Sequence, residues 1–159
     1  MFNFFGAKQR NLLLYAPVKG SVLDLAATPD EVFRSGMMGD GVAVEPAEGV
    51  VVAPCDGEIV VMPRTGHAVA LRSPEGVEVL IHVGLDTVEL GGQGFTVHAR
   101  PGDKVKRGDR LLTFDREFIR GQGKQLVTPV VITNMADKVE RLVKYPDRAD
   151  GVILEVTVK

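Results

Sequence analysis

The stretch Val77-Glu78-Val79-Leu80-Ile81-His82-Val83 is closed off by Pro74-Glu75-Gly76 before it and by Gly84 after it. It is short and rich in β-branched residues, the texture of a strand. Side chains alternate along a strand, so Val79, Ile81 and Val83 form one apolar face, and Leu80 and His82 share the other. The first face reads as core. The second places His82 on the outside beside an apolar neighbour, on a rigid mount at the strand end.

The same texture extends in both directions. Leu12–Tyr15, Val42–Val44, Val50–Ala53, Glu58–Met62, His67–Leu71, Arg110–Phe114, Val127–Thr133 and Val152–Val158 are short apolar stretches bounded by turn residues such as Pro17, Gly39-Asp40-Gly41, Pro54, Pro101-Gly102-Asp103 and Gly108-Asp109. With 18 glycines and 9 prolines in 159 residues, few long helices fit between the breakers. Many short strands at this spacing imply an all-β sandwich or barrel. Short helices are expected at Asp115–Gly121, with Asp115 as N-cap, and at Asn134–Lys144, where Asn134 caps and Val139, Leu142 and Val143 share a face. Ala16-Pro17-Val18-Lys19-Gly20-Ser21-Val22 echoes Ala53-Pro54-Cys55-Asp56-Gly57-Glu58-Ile59, which suggests two related β-units.

The composition suits one domain with a sizeable core, 45% apolar and 25% charged. A net charge of −2 leaves no global basic field for nucleic acid. The single cysteine, Cys55, excludes an internal disulfide and a cysteine-based zinc site, and fits a reducing, cytoplasmic setting. No apolar run approaches the roughly 20 residues that cross a bilayer as a helix. Residues 1–11 read as a short leader and residues 12–159 as one domain; Met1 and the leader favour a separate protein. In the leader, Phe2, Phe4 and Phe5 precede Lys8 and Arg10, the reverse of a signal peptide. The leader is expected to pack on the domain or to fray, and at most to touch an anionic membrane surface weakly.

Of the three histidines, His98 falls in a loop-like stretch before Arg100-Pro101-Gly102 and reads as surface. His67 follows Thr65 by two residues, so in extended chain the hydroxyl and the ring project the same way. The other reading of Thr65 is plain turn duty in Arg64-Thr65-Gly66. If His67–Leu71 and Val77–Val83 pair as a hairpin centred between Pro74 and Glu75, His67 and His82 are equidistant from that centre. Their meeting in space is allowed, and a bulge would upset it. Asp30 in Thr28-Pro29-Asp30 reads first as a turn or capping residue. Cys55 sits in a turn-to-strand slot where small residues pack, and is expected to be inert.

These residues also carry a family resemblance. His82-Val83-Gly84-Leu85-Asp86-Thr87-Val88-Glu89-Leu90, followed by Gly92-x-Gly94-Phe95, resembles the active-site signature of the glucose-family enzyme IIA of the bacterial phosphoenolpyruvate-dependent sugar phosphotransferase system. The likeness extends through Ala16-Pro17, Pro29-Asp30-x-Val32-Phe33, Gly39-Asp40-Gly41, Ala53-Pro54-x-x-Gly57, Thr65-Gly66-His67-Ala68 and Thr128-Pro129-Val130-Val131-Ile132-Thr133-Asn134-Met135. It implies an antiparallel β-sandwich, or barrel-sandwich hybrid, with one or two short helices. It implies that His82 is phosphorylated, that His67 stabilises the group in transfer, and that Thr65 orients His67. Asp30 and Asp86 match acidic residues beside the site, and Val32, Phe33, Met37, Met38, Leu80 and Val88 match an apolar rim where partners dock. Aromatic positions common around that depression are Pro63 and Leu80 here, so the rim is less aromatic. The implied partners are the phosphocarrier HPr upstream, a cysteine of a sugar-permease IIB domain downstream, and transporters, metabolic enzymes or kinases regulated by the unphosphorylated form. No cofactor or intrinsic metal is implied, although zinc bridging His67 and His82 at an interface belongs to the family's repertoire.

The chemistry suits these residues. An imidazole is largely neutral at pH 7 and attacks phosphorus without a separate base. In a loose phosphoryl-transfer transition state the protein's work is positioning and electrostatics. No Walker-type loop is present. Acidic neighbours repel free phosphate but steer a partner carrying arginine. Two other readings are weaker. A zinc hydrolase would need a third ligand from His98 or Asp86. A biotinyl or lipoyl carrier, suggested by Pro101-Gly102-Asp103-x-Val105-x-x-Gly108-Asp109-x-Leu111, needs lysine beside methionine at a tight turn, and Met37, Met38, Met62 and Met135 have no such neighbour.

Overall fold

The computed structural model describes residues 10–159. The leader positions Phe2, Phe4, Phe5 and Lys8, and with them the expected packing of the leader, lie outside the described residues. Thirteen strands run in chain order: β1 (Arg10–Tyr15), β2 (Gly20–Asp24), β3 (Asp40–Pro46), β4 (Val50–Val52), β5 (Gly57–Val61), β6 (Ala68–Arg72), β7 (Glu78–His82), β8 (Phe95–Val97), β9 (Lys104–Val105), β10 (Arg110–Phe114), β11 (Thr128–Ile132), β12 (Val139–Lys144) and β13 (Val152–Val158). They form a seven-stranded sheet of order β2-β3-β11-β7-β6-β5-β9 and two three-stranded sheets, β1-β13-β12 and β4-β10-β8. The paired strands are antiparallel, as expected of this all-β chain. β1 already includes Arg10 and Asn11, opposite Val158 and Thr157, so the folded domain begins before residue 12.

The large sheet is apolar on both faces at its centre. On β3, β11 and β7, the side chains of Val42, Val44, Val130, Ile132, Val79 and Ile81 enter the main core. The alternate residues Ala43, Val131 and Leu80 belong to a second, smaller cluster with Leu25, Phe33, Leu85 and Val127. That second cluster is roofed by a 3-10 helix (Leu25–Ala27) and by α1 (Glu31–Arg34), which is capped by the Asp30 carboxylate accepting from the Val32 amide at 2.9 Å. The site described below lies at the edge of this cluster.

The β6–β7 hairpin differs from expectation by one residue. Its loop is Pro74-Glu75-Gly76, with Ser73 and Val77 joined by the Ser73 amide to the Val77 carbonyl (2.9 Å) and the Val77 amide to the Ser73 hydroxyl (3.1 Å). A three-residue loop ending in a left-handed Gly76 (φ +91°) centres the turn on Glu75. His82 therefore stands opposite Ala68, not His67.

A second correction falls on Asn134–Lys144. Only Met135–Lys138 is helical (α3, after α2 at Arg116–Gly121); the rest is β12, paired with β13. Leu142 faces Val156 across that ladder, so the spacing that suggested a helical face is met by an edge strand with a register shift between Val139 and Arg141. Nor does Asn134 cap a helix. Its Oδ1 accepts from the Glu78 amide (2.9 Å) and its Nδ2 donates to the Gly76 carbonyl (2.8 Å), which staples α3 to the hairpin. Helix α2 is as expected, with Asp115 accepting from the Phe118 amide at 3.0 Å. With α1, the chain has three short α-helices among the described residues, one more than foreseen.

The echo is structural. Gly20 and Gly57 each open a strand, and a Cβ there would lie 2.0 Å from the Glu45 carbonyl oxygen or 2.5 Å from that of Arg72. The two segments also bond reciprocally, Val52 amide to Pro17 carbonyl (2.8 Å) and Tyr15 amide to Pro54 carbonyl (3.0 Å). Val18 and Cys55 are equivalent buried positions within this pair.

Candidate active site

His82 is the last residue of β7, and it shares the outer face with Leu80 while Ile81 and Val79 are wholly buried opposite. His67 lies just before β6, in a bend. Within β6 its parity would point it into the core. The bend breaks that alternation, and the two imidazoles meet edge to face with centroids 5.2 Å apart. The expected proximity is present although the expected register is not. The His67 carbonyl also accepts from the Val83 amide at 2.7 Å, which ties the two histidine segments together.

Each ring is held through Nδ1. Nδ1 of His82 lies 2.8 Å from the Gly84 carbonyl oxygen. A carbonyl only accepts, so this nitrogen carries the hydrogen and Nε2 keeps its lone pair. Nδ1 of His67 lies 2.5 Å from the Thr65 hydroxyl. Neither Nε2 has a hydrogen-bond partner among the described residues. Phe33 packs beside His82, centroids 5.1 Å apart.

Burial holds the His82 imidazole below its ordinary value; the Gly84 hydrogen bond and the Asp30 and Asp86 carboxylates pull the other way without overcoming it. His67 is also held low, first by burial and then by its neighbour His82. Both shifts favour the neutral form of the ring at pH 7.

Asp30 performs two tasks, since its Oδ1 caps α1 while its charge reaches His82. Asp86 is the only described non-glycine residue with positive φ (59°) and is exposed beside the site. The two carboxylates line a small cavity of about 210 Å³ together with Lys124. Val32, Met37, Met38 and Val88 are exposed apolar residues, Met37 at 76%. Leu80 is half-buried between them and the core. Phe33 differs from the expected rim: it is buried in the second cluster, so it floors the depression instead of presenting a docking surface. Val61 joins this face unforeseen. It pairs with Ala70, which pairs with Leu80, and it is 50% exposed. The register shift between Ile59 and Val61 hid its orientation from the sequence.

His98 is on the surface as expected, with Nε2 3.1 Å from the Thr113 hydroxyl. Among the described residues no group of three or more His, Cys, Asp or Glu side chains is placed to hold a metal ion. A zinc ion bridging His67 and His82 would draw its remaining ligands from elsewhere. Cys55 is buried, and burial pushes its thiol up to about 12, far from thiolate chemistry. Among the described residues, no helix is long and apolar enough to cross a membrane.

Residues 12–138 match the family described as phosphoenolpyruvate-dependent sugar phosphotransferase system, EIIA 1. The glucose-specific EIIA component of Bacillus cereus is 50% identical, over 81% of this chain and 78% of that protein. The mannose-specific EIIBCA component of Corynebacterium glutamicum is 49% identical over 77% of this chain, which corresponds to 18% of that longer protein. The glucose permease IIA of Mycoplasma capricolum superposes with a TM-score of 0.85 at 32% identity, covering 98% of this chain and 99% of that one. This chain belongs to the EIIA 1 family of the phosphoenolpyruvate-dependent sugar phosphotransferase system.

Proposed function

We propose that Nε2 of His82 is a reversible seat for a phosphoryl group in sugar uptake, filled by phospho-HPr and emptied by a cysteine of a permease IIB domain, in the cytoplasm. The observation that carries this reading is the Nδ1–Gly84 contact of 2.8 Å, which leaves Nε2 with its lone pair next to a second imidazole.

In acceptance, the lone pair of Nε2 forms a bond to phosphorus while the donor's N–P bond breaks and its electron pair returns to the donor imidazole. No proton need move, because Nδ1 keeps its hydrogen on the Gly84 carbonyl. The phosphorylated ring with Nδ1–H is cationic, and the carboxylates of Asp30 and Asp86, which favour positive charge on His82, stabilise it. They also attract a cationic partner surface. If the Thr65 hydroxyl donates to Nδ1 of His67, the His67 hydrogen sits on Nε2, free to bond an equatorial oxygen as charge develops there. In delivery, a cysteine thiolate forms the S–P bond and the N–P electron pair returns to Nε2. The exposed residues Val32, Met37, Met38 and Val88, with Leu80 beside them, supply the apolar ground for both partners in turn. The same face is the natural place for regulatory targets to bind when His82 is unmodified.

The test is incubation with phosphoenolpyruvate, enzyme I and HPr, followed by mass spectrometry. One acid-labile phosphoryl group is expected, none on His82→Ala, and on His67→Gln acceptance with poor onward transfer. Label at another position, or normal delivery by His67→Gln, defeats the assignments.

A further inference from the structure

We propose that Thr87 is the positioning residue for His82, its hydroxyl locking the turn from Val83 to Thr87 so that the Gly84 carbonyl stays against the imidazole. This rests on the reading of His82 as phosphoryl acceptor. Thr87 is wholly buried, and its hydroxyl donates to the Val83 carbonyl at 2.6 Å. The amide of the same Val83 donates to the His67 carbonyl at 2.7 Å, and the Leu85 amide donates to the Gln125 carbonyl at 3.0 Å. Groups on both sides of Gly84 are therefore tied down, and its own carbonyl receives Nδ1 of His82.

The clamp works against strain. The turn holds Gly84 at φ +72° and Asp86 at φ +59°, and the left-handed region is unfavourable for a side-chain-bearing residue. Without the Thr87 bond the turn has a reason to relax, and the Val83 carbonyl loses its buried partner. The Thr87 methyl is packed against the same turn: it lies 2.7 Å from where a Cβ on Gly84 would sit. One side chain thus fixes the turn by hydrogen bond and by packing. The consequence falls on the ring. An imidazole released from the Gly84 carbonyl exchanges between tautomers, and whenever Nε2 carries the hydrogen it has no lone pair for phosphorus.

Serine and valine separate the two contributions. Thr87→Ser keeps the hydroxyl and loses the methyl, whereas Thr87→Val keeps the shape and loses the hydroxyl. The full chain, labelled with 15N, is examined by long-range 1H–15N correlation to read the His82 tautomer, and transfer from phospho-HPr is timed in parallel. Thr87→Ser is expected to keep the hydrogen on Nδ1. Thr87→Val is expected to populate the Nε2–H tautomer and to accept phosphorus about ten- to a hundredfold more slowly, with an unchanged KM for phospho-HPr. Normal tautomer and rate in folded Thr87→Val overturn the proposal, as does a Thr87→Ser that loses the Nδ1–H form. The wild-type chain gives a test that needs no variant: a Thr87 hydroxyl proton protected from exchange supports the clamp, and one in rapid exchange with water overturns it. A His82 tautomer that changes between the Thr87 variants as expected, together with a wild-type chain that takes no phosphorus, supports the clamp and overturns the relay instead.

Discussion

Gly84 offers the sharpest test of the architecture around His82. A Cβ at Gly84 would lie 2.7 Å from both the Gln125 carbonyl oxygen and the Thr87 Cγ2, in a backbone conformation of φ +72°. The Gln125 carbonyl is main chain and holds the Leu85 amide at 3.0 Å, so it does not swing aside as a side chain would. Gly91 is the matched control, with φ +62° and nothing within 4 Å of its Cβ position. Both alanine variants bear the left-handed penalty, about 1–2 kcal/mol. Only Gly84→Ala adds overpacking, about 1–3 kcal/mol. With a urea slope of about 1–3 kcal/mol per M, the midpoint of Gly84→Ala should fall roughly 1 M below that of Gly91→Ala. Acceptance of phosphorus should fall as well, because the displaced atom group includes the carbonyl that orients His82. Coincident urea midpoints for the two variants would refute the reasoning that this turn is sterically closed.

Acidification should destabilise the fold. His67 and His82 are both held below their ordinary value of 6.5 in the folded chain, so the unfolded chain binds protons the native one refuses. The stability is fully present above about pH 6.5 and declines as pH falls from there toward the lowered values; urea midpoints flat or rising between pH 7 and pH 5 would contradict this. Met37→Glu and Val88→Glu alter exposed positions and should change stability by no more than about 0.5 kcal/mol. They should raise the KM for phospho-HPr, and saturation curves of transfer check it. Asn134→Ala removes hydrogen bonds of 2.9 and 2.8 Å to the hairpin turn. It should cost about 1–3 kcal/mol in a thermal or urea melt while leaving phosphoryl acceptance intact, because Glu78 lies a strand length, roughly 13 Å, from His82.

Much of the site was legible because strand periodicity is a local property. The alternation in Val77–Val83 separates core from surface without reference to any other segment, and Val79, Ile81 and Val83 are indeed wholly buried with His82 on the opposite side. Asp115 as N-cap is equally local. Where the outcome depended on a distant strand, the reading failed. Leu142 and Val143 fit a helix or an edge strand, and the unpaired edge of β13 decided for the strand. Asn134 could cap, but the amide of Glu78 and the carbonyl of Gly76 claimed its side chain. The hairpin register turned on one loop residue, and the buried place of Phe33 on how α1 settles over the second cluster.

By itself the sequence determined an all-β chain, the faces of its strands, the two histidines with Thr65 beside one of them, and the exclusion of an internal disulfide, since each follows from residue type and short-range spacing. Only the tertiary structure decided that the rings lie 5.2 Å apart despite the shifted register, that the Gly84 carbonyl selects which nitrogen of His82 is free, and that Thr87 reaches back to Val83. The physical reason is that contacts across a turn or between strands depend on angles and registers that change by a whole residue for a small local difference, whereas the alternation of side chains along one strand does not.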